Sequence, residues 1–160
     1  MGSQSKIQNL AYIAGFLDGD GCLMLQVKRR KDTKRKWRFM FTICFYQDSR
    51  HDRPLYWIQK ELGIGYISKR NDGITELRVN GYKQVKNILE KLIPFIRFKK
   101  VQASTILKAV ALLEKKPVQK LTLSKKLRLV KYLLAVQNEN YQSPKKKTKE
   151  DLIKILDLTP

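Results

Sequence analysis

The spacing of hydrophobic positions divides the start of the chain into one helix and two strands. Apolar residues recur at helical spacing over 6–19 and cover most of the circumference of the predicted helix. A helix that is apolar nearly all round is buried on several sides. Two stretches with a period of two follow at 22–30 and 37–47, joined by a charged turn at 31–36.

A second hairpin and further helices are predicted downstream. Asn71-Asp72-Gly73 is a strong hairpin turn, and it separates predicted strands at 64–70 and 74–80. Helices are expected at 53–62, 82–92, about 100–114 and 123–137. The order helix, hairpin, helix, hairpin, helix predicts an α+β fold with a four-stranded sheet, whose apolar face is covered by helices.

The two ends of the chain have a different composition from the middle. Residues 1–5 are predicted to be disordered or tag-like, and 6–137 to form one domain. Residues 138–160 are predicted to form a basic loop and a short C-terminal helix, for which Thr148 and Asp151 offer a capping pair.

The two faces of the predicted sheet differ in polarity. Odd positions of the first hairpin are apolar and are assigned to the core, whereas even positions are mostly polar or basic. The alternative is that the even face is merely solvated, which predicts charges of both signs. Glu76 is, however, the only acid among the candidate residues of this face. The candidates for contact with a ligand on this face are Met24, Gln26, Lys28, Arg30, Arg38, Met40, Thr42, Cys44, Ser68, Arg70, Glu76 and Arg78.

The charge of the chain indicates an anionic partner. It has 34 Lys+Arg against 14 Asp+Glu, for a net charge of +20. Nucleic acid is the first candidate and an anionic membrane surface the second. No apolar run is long enough to span a bilayer. One histidine and two cysteines without CxxC spacing argue against a zinc site.

Residues 13–21, Ile-Ala-Gly-Phe-Leu-Asp-Gly-Asp-Gly, place two acids at the end of the apolar first helix. In isolation, Asp18 and Asp20 are more often turn and cap residues. Here a carboxylate would face phosphates, where repulsion makes it costly unless a divalent cation intervenes. Mg²⁺ is commonly bound by one or two carboxylates together with substrate phosphates.

This stretch resembles the motif of the LAGLIDADG homing endonucleases, with Ile13 for the first Leu and Gly19 for the second Ala. The resemblance extends over 6 to about 114 and is to the single-motif, chloroplast-intron type. It implies an αββαββα fold with a saddle-shaped antiparallel sheet, and an endonuclease domain at 6–137. It also implies a homodimer in which the motif helices pack together through Ala11, Ala14, Gly15 and Asp18.

The same resemblance assigns roles at the cleavage site. Asp20 and the carbonyl of Gly19 would bind catalytic Mg²⁺, with Mn²⁺ able to substitute, and Asp18 would be structural. Gln47 would lie near the metal and its water, and Lys99 would organise solvent at the scissile phosphates. The family has an arginine just beyond the glutamine, and the resemblance leaves open whether Arg50 or His51 takes that place.

The sequence therefore predicts a homodimeric, Mg²⁺-dependent endonuclease that cleaves a long pseudo-palindromic site in double-stranded DNA. No membrane partner and no small-molecule substrate are expected. The rivals are an RNA-binding intron splicing cofactor, or maturase, and a non-catalytic DNA-binding protein. Intron-encoded members of the family would place it in a chloroplast, a mitochondrion or a bacterial cytoplasm.

Overall fold

The computed structural model describes residues 2–31, 37–140 and 145–158. Its strands form one antiparallel sheet of four in the order β1-β2-β4-β3. The elements of the described ranges are α1 (Gly2–Asp20), β1 (Gly21–Arg29), β2 (Trp37–Asp48), α2 (Arg53–Leu62), β3 (Tyr66–Lys69), β4 (Ile74–Asn80), α3 (Tyr82–Leu92), α4 (Lys100–Lys115), α5 (Leu123–Glu139) and α6 (Lys149–Ile155).

The predicted α+β order is confirmed, and most boundaries agree within two residues. Two elements differ most in length from the prediction. Helix α1 begins at Gly2, four residues before the predicted start at residue 6. Strand β3 is only four residues long, because Gly63 and Gly65 adopt positive φ angles (69° and 108°) and hold the preceding segment out of the strand.

The core lies on the odd face of the sheet, as the period of two predicts. Leu23, Phe41 and Ile43 on β1 and β2, and Leu77 and Val79 on β4, are buried against the helices. The C-terminal segment also joins this core, since Leu152 and Leu158 are buried in the same cluster. Thr148 and Asp151 form the predicted capping box at the start of α6.

The passage from α1 to β1 leaves no linker between helix and strand. Gly21, the first residue of β1, lies against the last turn of α1, and a Cβ there would come within 2.6–2.8 Å of three atoms of Leu17. Two of these are the backbone carbonyl oxygen and Cα, which cannot move aside alone. Glycine at this position therefore lets the helix end directly on the edge of the sheet.

We expect Gly21→Ala to lower the free energy of unfolding by about 1–3 kcal/mol, because the methyl group would overpack the junction. Urea denaturation followed by circular dichroism measures the change. Unaltered stability would show that the junction relaxes without cost.

Candidate active site

The first motif acid, Asp18, connects the end of α1 to the loop before α4. Its Oδ2 accepts hydrogen bonds from the backbone N–H groups of Arg97 (2.6 Å) and Phe98 (3.2 Å), and its Oδ1 accepts from that of Lys99 (3.0 Å). The carboxylate is buried, and it satisfies donors at the start of α4 in the manner of an N-cap supplied by another element. This geometry supports a structural role for Asp18.

Lys99 lies against the carbonyl end of α1. Its Nζ donates a hydrogen bond to the backbone carbonyl oxygen of Asp18 at 2.5 Å. The last carbonyls of a helix lack partners and form the negative end of the helix dipole, so an ammonium is favourable there. The contact places the Lys99 side chain beside the helix end that also contains Gly19 and Asp20.

The second motif acid, Asp20, is the last residue of α1 and is exposed. Within the described residues its carboxylate has no hydrogen-bond or ion-pair partner. Gly19 is likewise exposed, and no atom lies within 4 Å of the position that a Cβ would occupy. An exposed carboxylate without a protein partner in the described chain, in a molecule of net charge +20, is suited to holding a cation.

Gln47 lies at the same end of the sheet as Asp20. Gly21, which follows Asp20, pairs with Phe45 across β1 and β2. Gln47 lies two residues further along β2 than Phe45. Its Oε1 accepts a hydrogen bond from the N–H of Asp48 at 2.8 Å. The amide NH₂ is then the end of Gln47 that remains for a ligand.

The two alternatives for the solvent network, Arg50 and His51, lie in a 3-10 turn at Ser49–His51. The Arg50 guanidinium bonds Asp48 through Nε (3.0 Å) and Nη2 (2.7 Å), and this hydrogen bonding holds the pKa of Asp48 well below its usual range. His51 is exposed. In this conformation Arg50 is therefore occupied by Asp48, a residue that sequence reasoning did not single out.

The candidates for the ligand-binding face fall into three groups by exposure. Exposed side chains are those of Lys28, Arg38 and Arg70. The half-buried ones are those of Met24, Gln26, Arg30, Met40, Ser68 and Arg78. The buried ones are those of Thr42, Cys44 and Glu76.

Thr42 and Cys44, which were predicted to contact DNA, are fully buried in this structure. They lie on β2, opposite Met24 and Cys22 on β1 and Asn80 and Arg78 on β4. The Thr42 hydroxyl donates to Oδ1 of Asn80 at 2.7 Å. Burial raises the pKa of the Cys44 thiol to about 11. Cys44 is also the direct cross-strand partner of Cys22, so the two thiols are neighbours despite their separation in sequence.

Three polar side chains of this face were missed. Tyr46 lies opposite Glu76, and the Asn80 Nδ2 donates to the hydroxyl of Tyr66 at 3.2 Å. The period of two extends to all three positions, so a search along the full length of each strand would have found them.

The predicted interface residues of α1 divide between its two sides. Gly15 is exposed and Ala11 half-buried, next to the exposed Tyr12. Ala14 and Asp18 are instead buried within the subunit, so the side of α1 that is open to a second helix contains Gly15 and Tyr12. Because α1 is apolar nearly all round, its sequence did not predict which side packs against the sheet.

The protein oxygens at this site can hold a divalent metal only if water and a bound phosphate supply the remaining metal ligands. No three His, Cys, Asp or Glu side chains cluster to hold a metal in the part of the chain that the structure describes. Asp20 and the Gly19 carbonyl provide oxygen donors, which Mg²⁺ prefers, and Mg²⁺ commonly takes its remaining ligands from water and phosphates. The residues present therefore fit a hard cation shared with a phosphate backbone.

The motif helix, the antiparallel sheet and the exposed Asp20 together define a homing endonuclease of the LAGLIDADG class. Residues 13–110 match the family model for LAGLIDADG endonucleases, and the chain belongs to that family.

Among curated proteins, it is 37% identical to DNA endonuclease I-CvuI of Chlorella vulgaris over 100 residues, which is 62% of each chain. It is 28% identical to DNA endonuclease I-CreI of Chlamydomonas reinhardtii over 98% of this chain and 94% of the relative. The crystal structure of I-CvuI bound to its target in the presence of calcium superposes with a TM-score of 0.78 at 28% identity, covering 97% of this chain and 96% of the other. A further I-CvuI complex, with an I-CreI target and magnesium, has a TM-score of 0.76.

Among the described helices, none is both long and apolar enough to cross a membrane.

Replacing Asp18 by Asn should destabilise the fold by about 1.5–3 kcal/mol, because an amide has only one acceptor oxygen for three N–H donors and lacks the charge. Urea denaturation provides the measurement. Asp72→Asn is the matched control, since Asp72 is exposed and accepts from one side chain and one backbone N–H within its own turn. Equal stability of the two variants would contradict the role assigned to Asp18.

Proposed function

We propose that this protein is a homodimeric, divalent-metal-dependent homing endonuclease that hydrolyses both strands of a long, nearly palindromic DNA target. The observation on which the proposal depends is the exposed Asp20 carboxylate, without a partner in the described chain, at the end of the helix whose Asp18 carbonyl holds the Lys99 ammonium. This helix end lies at one end of a sheet with a largely basic face. I-CvuI, a relative with the same fold, was crystallised on target DNA with magnesium or calcium.

In the proposed mechanism, Asp20 and the Gly19 carbonyl hold Mg²⁺, for which Mn²⁺ substitutes. A bound metal of this kind supplies an activated water and neutralises charge on the phosphate. The Lys99 ammonium, held by the Asp18 carbonyl, donates hydrogen bonds to phosphate oxygens and stabilises their developing charge. The Gln47 amide NH₂ orients solvent for attack. No Ser-His-Asp arrangement is needed for this chemistry, because water is the nucleophile.

The even face of the sheet binds the duplex. A two-stranded ribbon fits the major groove, where arginine contacts guanine and glutamine contacts adenine. Exposed Lys28 and Arg38 lie near the far end of the first hairpin, where they can follow the phosphates. We propose a location with an intron-containing genome, in a chloroplast, a mitochondrion or a bacterial cytoplasm.

Asp20→Asn should abolish cleavage while specific binding stays within about tenfold of the wild type, because the carboxylate serves the metal and not the groove contacts. The assay is incubation with a randomised duplex pool and Mg²⁺, followed by sequencing of cut ends and a binding titration on the recovered target. Asp157→Asn, which removes a charge from another exposed aspartate, is the control and should cleave normally. Residual cleavage by purified Asp20→Asn would refute the assignment. Tight binding of intron RNA without any cleavage by the wild type would favour the maturase alternative.

Assembly is tested at Gly15, because a side chain there meets no atom of its own subunit. In Gly15→Leu, the helix should keep its stability while the bulky side chain prevents close approach of a second α1. Light scattering at micromolar concentration should show a dimer for the wild type and a monomer for the variant. Lys108→Leu, at an exposed position of α4, is the control and should remain dimeric. A monomeric wild type would remove the basis for a palindromic target.

A further inference from the structure

Two arginines of the even face pair with acids on the same hairpin, but their surroundings differ. Arg78 bonds Glu76 through Nε (3.2 Å) and Nη2 (3.3 Å), and these side chains are only 23% and 11% exposed. Arg70 bonds Asp72 at 2.6 Å, with side chains 48% and 50% exposed. A shielded pair that is fixed at two points holds its geometry far better than one in open solvent.

Arg78 is also enclosed from both sides along the sheet. It lies on β4 between β2 and β3, where its direct partners are Cys44 and Tyr66. Cys44 is fully buried, and the Tyr66 hydroxyl accepts a hydrogen bond from Asn80. These neighbours confine the stem of Arg78, and the ion pair occupies Nε and one hydrogen of Nη2. The Nη1 end of the guanidinium is left to donate to a ligand on the even face.

We propose that Glu76 is a positioning residue that holds Arg78 to contact one guanine in each half-site. This inference rests on the proposed function. Guanine presents two neutral acceptors, O6 and N7, in the major groove, and arginine contacts both when its terminal nitrogens face the base.

The charge of the pair argues for a base contact rather than a phosphate contact. Glu76 neutralises Arg78 and repels the negative backbone, whereas the guanine acceptors have no net charge. Burial by itself opposes the charge on Arg78, yet its pKa is raised overall by the hydrogen bond to Glu76, so the guanidinium keeps its charge. Arg70 is also paired with an acid, but that pair is half exposed, so Arg70 can leave it and has the freedom that phosphate contacts tolerate.

The test compares wild type, Glu76→Gln, Arg78→Ala and the double variant in binding assays in EDTA. The target is selected from a randomised duplex pool and then scanned by single base-pair changes. The wild type should prefer guanine at one half-site position by roughly 5- to 150-fold. All three variants should lose that preference and keep the others.

Salt dependence distinguishes positioning from a merely structural effect. In Glu76→Gln, Arg78 becomes an unpaired cation that can reach a phosphate. The slope of log K against log salt should therefore steepen by about 1.8, which is about 0.9 for each of the two half-sites. The double variant removes both charges, so its slope should equal that of the wild type. Asp72→Asn is the matched control and should leave every base preference unchanged.

The outcomes separate this inference from the function beneath it. A wild type that enriches no duplex sequence would overturn the proposed function and this inference together. A selective wild type whose preference survives in Glu76→Gln or Arg78→Ala would overturn only the inference. If Glu76→Gln does not fold, the double variant is compared with Arg78→Ala. Identical profiles would support action through Arg78, and a further lost preference in the double variant would show that Glu76 itself contacts a base.

Discussion

The carboxylate of Asp18 fixes the relation between the two elements from which the site is built. It accepts three backbone N–H groups from residues 97–99, about eighty positions away in sequence. The bonds hold the start of α4 against the end of α1, and Lys99 returns one bond to the Asp18 carbonyl. The first acid of the motif is thus satisfied inside the subunit, and the same contacts hold the Lys99 ammonium at the helix end that contains the next acid, Asp20. Gly21 also fixes the position of this helix end, because a Cβ there would clash with Leu17 and only glycine lets β1 start on the last turn of α1.

The even face of the sheet has two electrostatic regions. Toward the far end of the first hairpin, Lys28 and Arg38 are exposed, and such exposed charges attract phosphates without regard to sequence. On β4, Glu76 and Arg78 form a shielded pair with little net charge. A protein that must find one site among many needs both kinds of surface, one for general attraction and one that distinguishes bases.

Several features followed from local pattern alone. The strand period assigned Leu23, Ile43 and Leu77 to the core, and the turn residues located the second hairpin, because both depend on neighbours in sequence. The burial of Thr42 and Cys44 did not follow, since a period of two says which face a residue is on but not that β2 lies between two strands. The burial of Ala14 within the subunit could not be predicted for a related reason. When a helix is apolar all round, its sequence does not show which side packs against the sheet.

The site itself was only partly predictable. The motif indicated Asp20, Gly19 and Lys99 as functional residues through resemblance, but no spacing rule could link Asp18 to the loop before α4 across so much sequence. Nor could composition show that Arg50 is held by Asp48 or that Arg78 is held by Glu76, because such pairs depend on side-chain geometry. The chain has 14 acids against 34 basic residues, so the position and partner of each carboxylate say more about the site than the net charge does. Asp18, Asp48 and Glu76 each orient a backbone segment or a cation, whereas Asp20 has no partner within the described chain. Exposed Asp157 also lacks a side-chain partner there, so exposure alone does not single out a metal ligand. The position of Asp20 at the end of the motif helix, against which the Lys99 side chain is held, is what supports the proposal that it binds a metal.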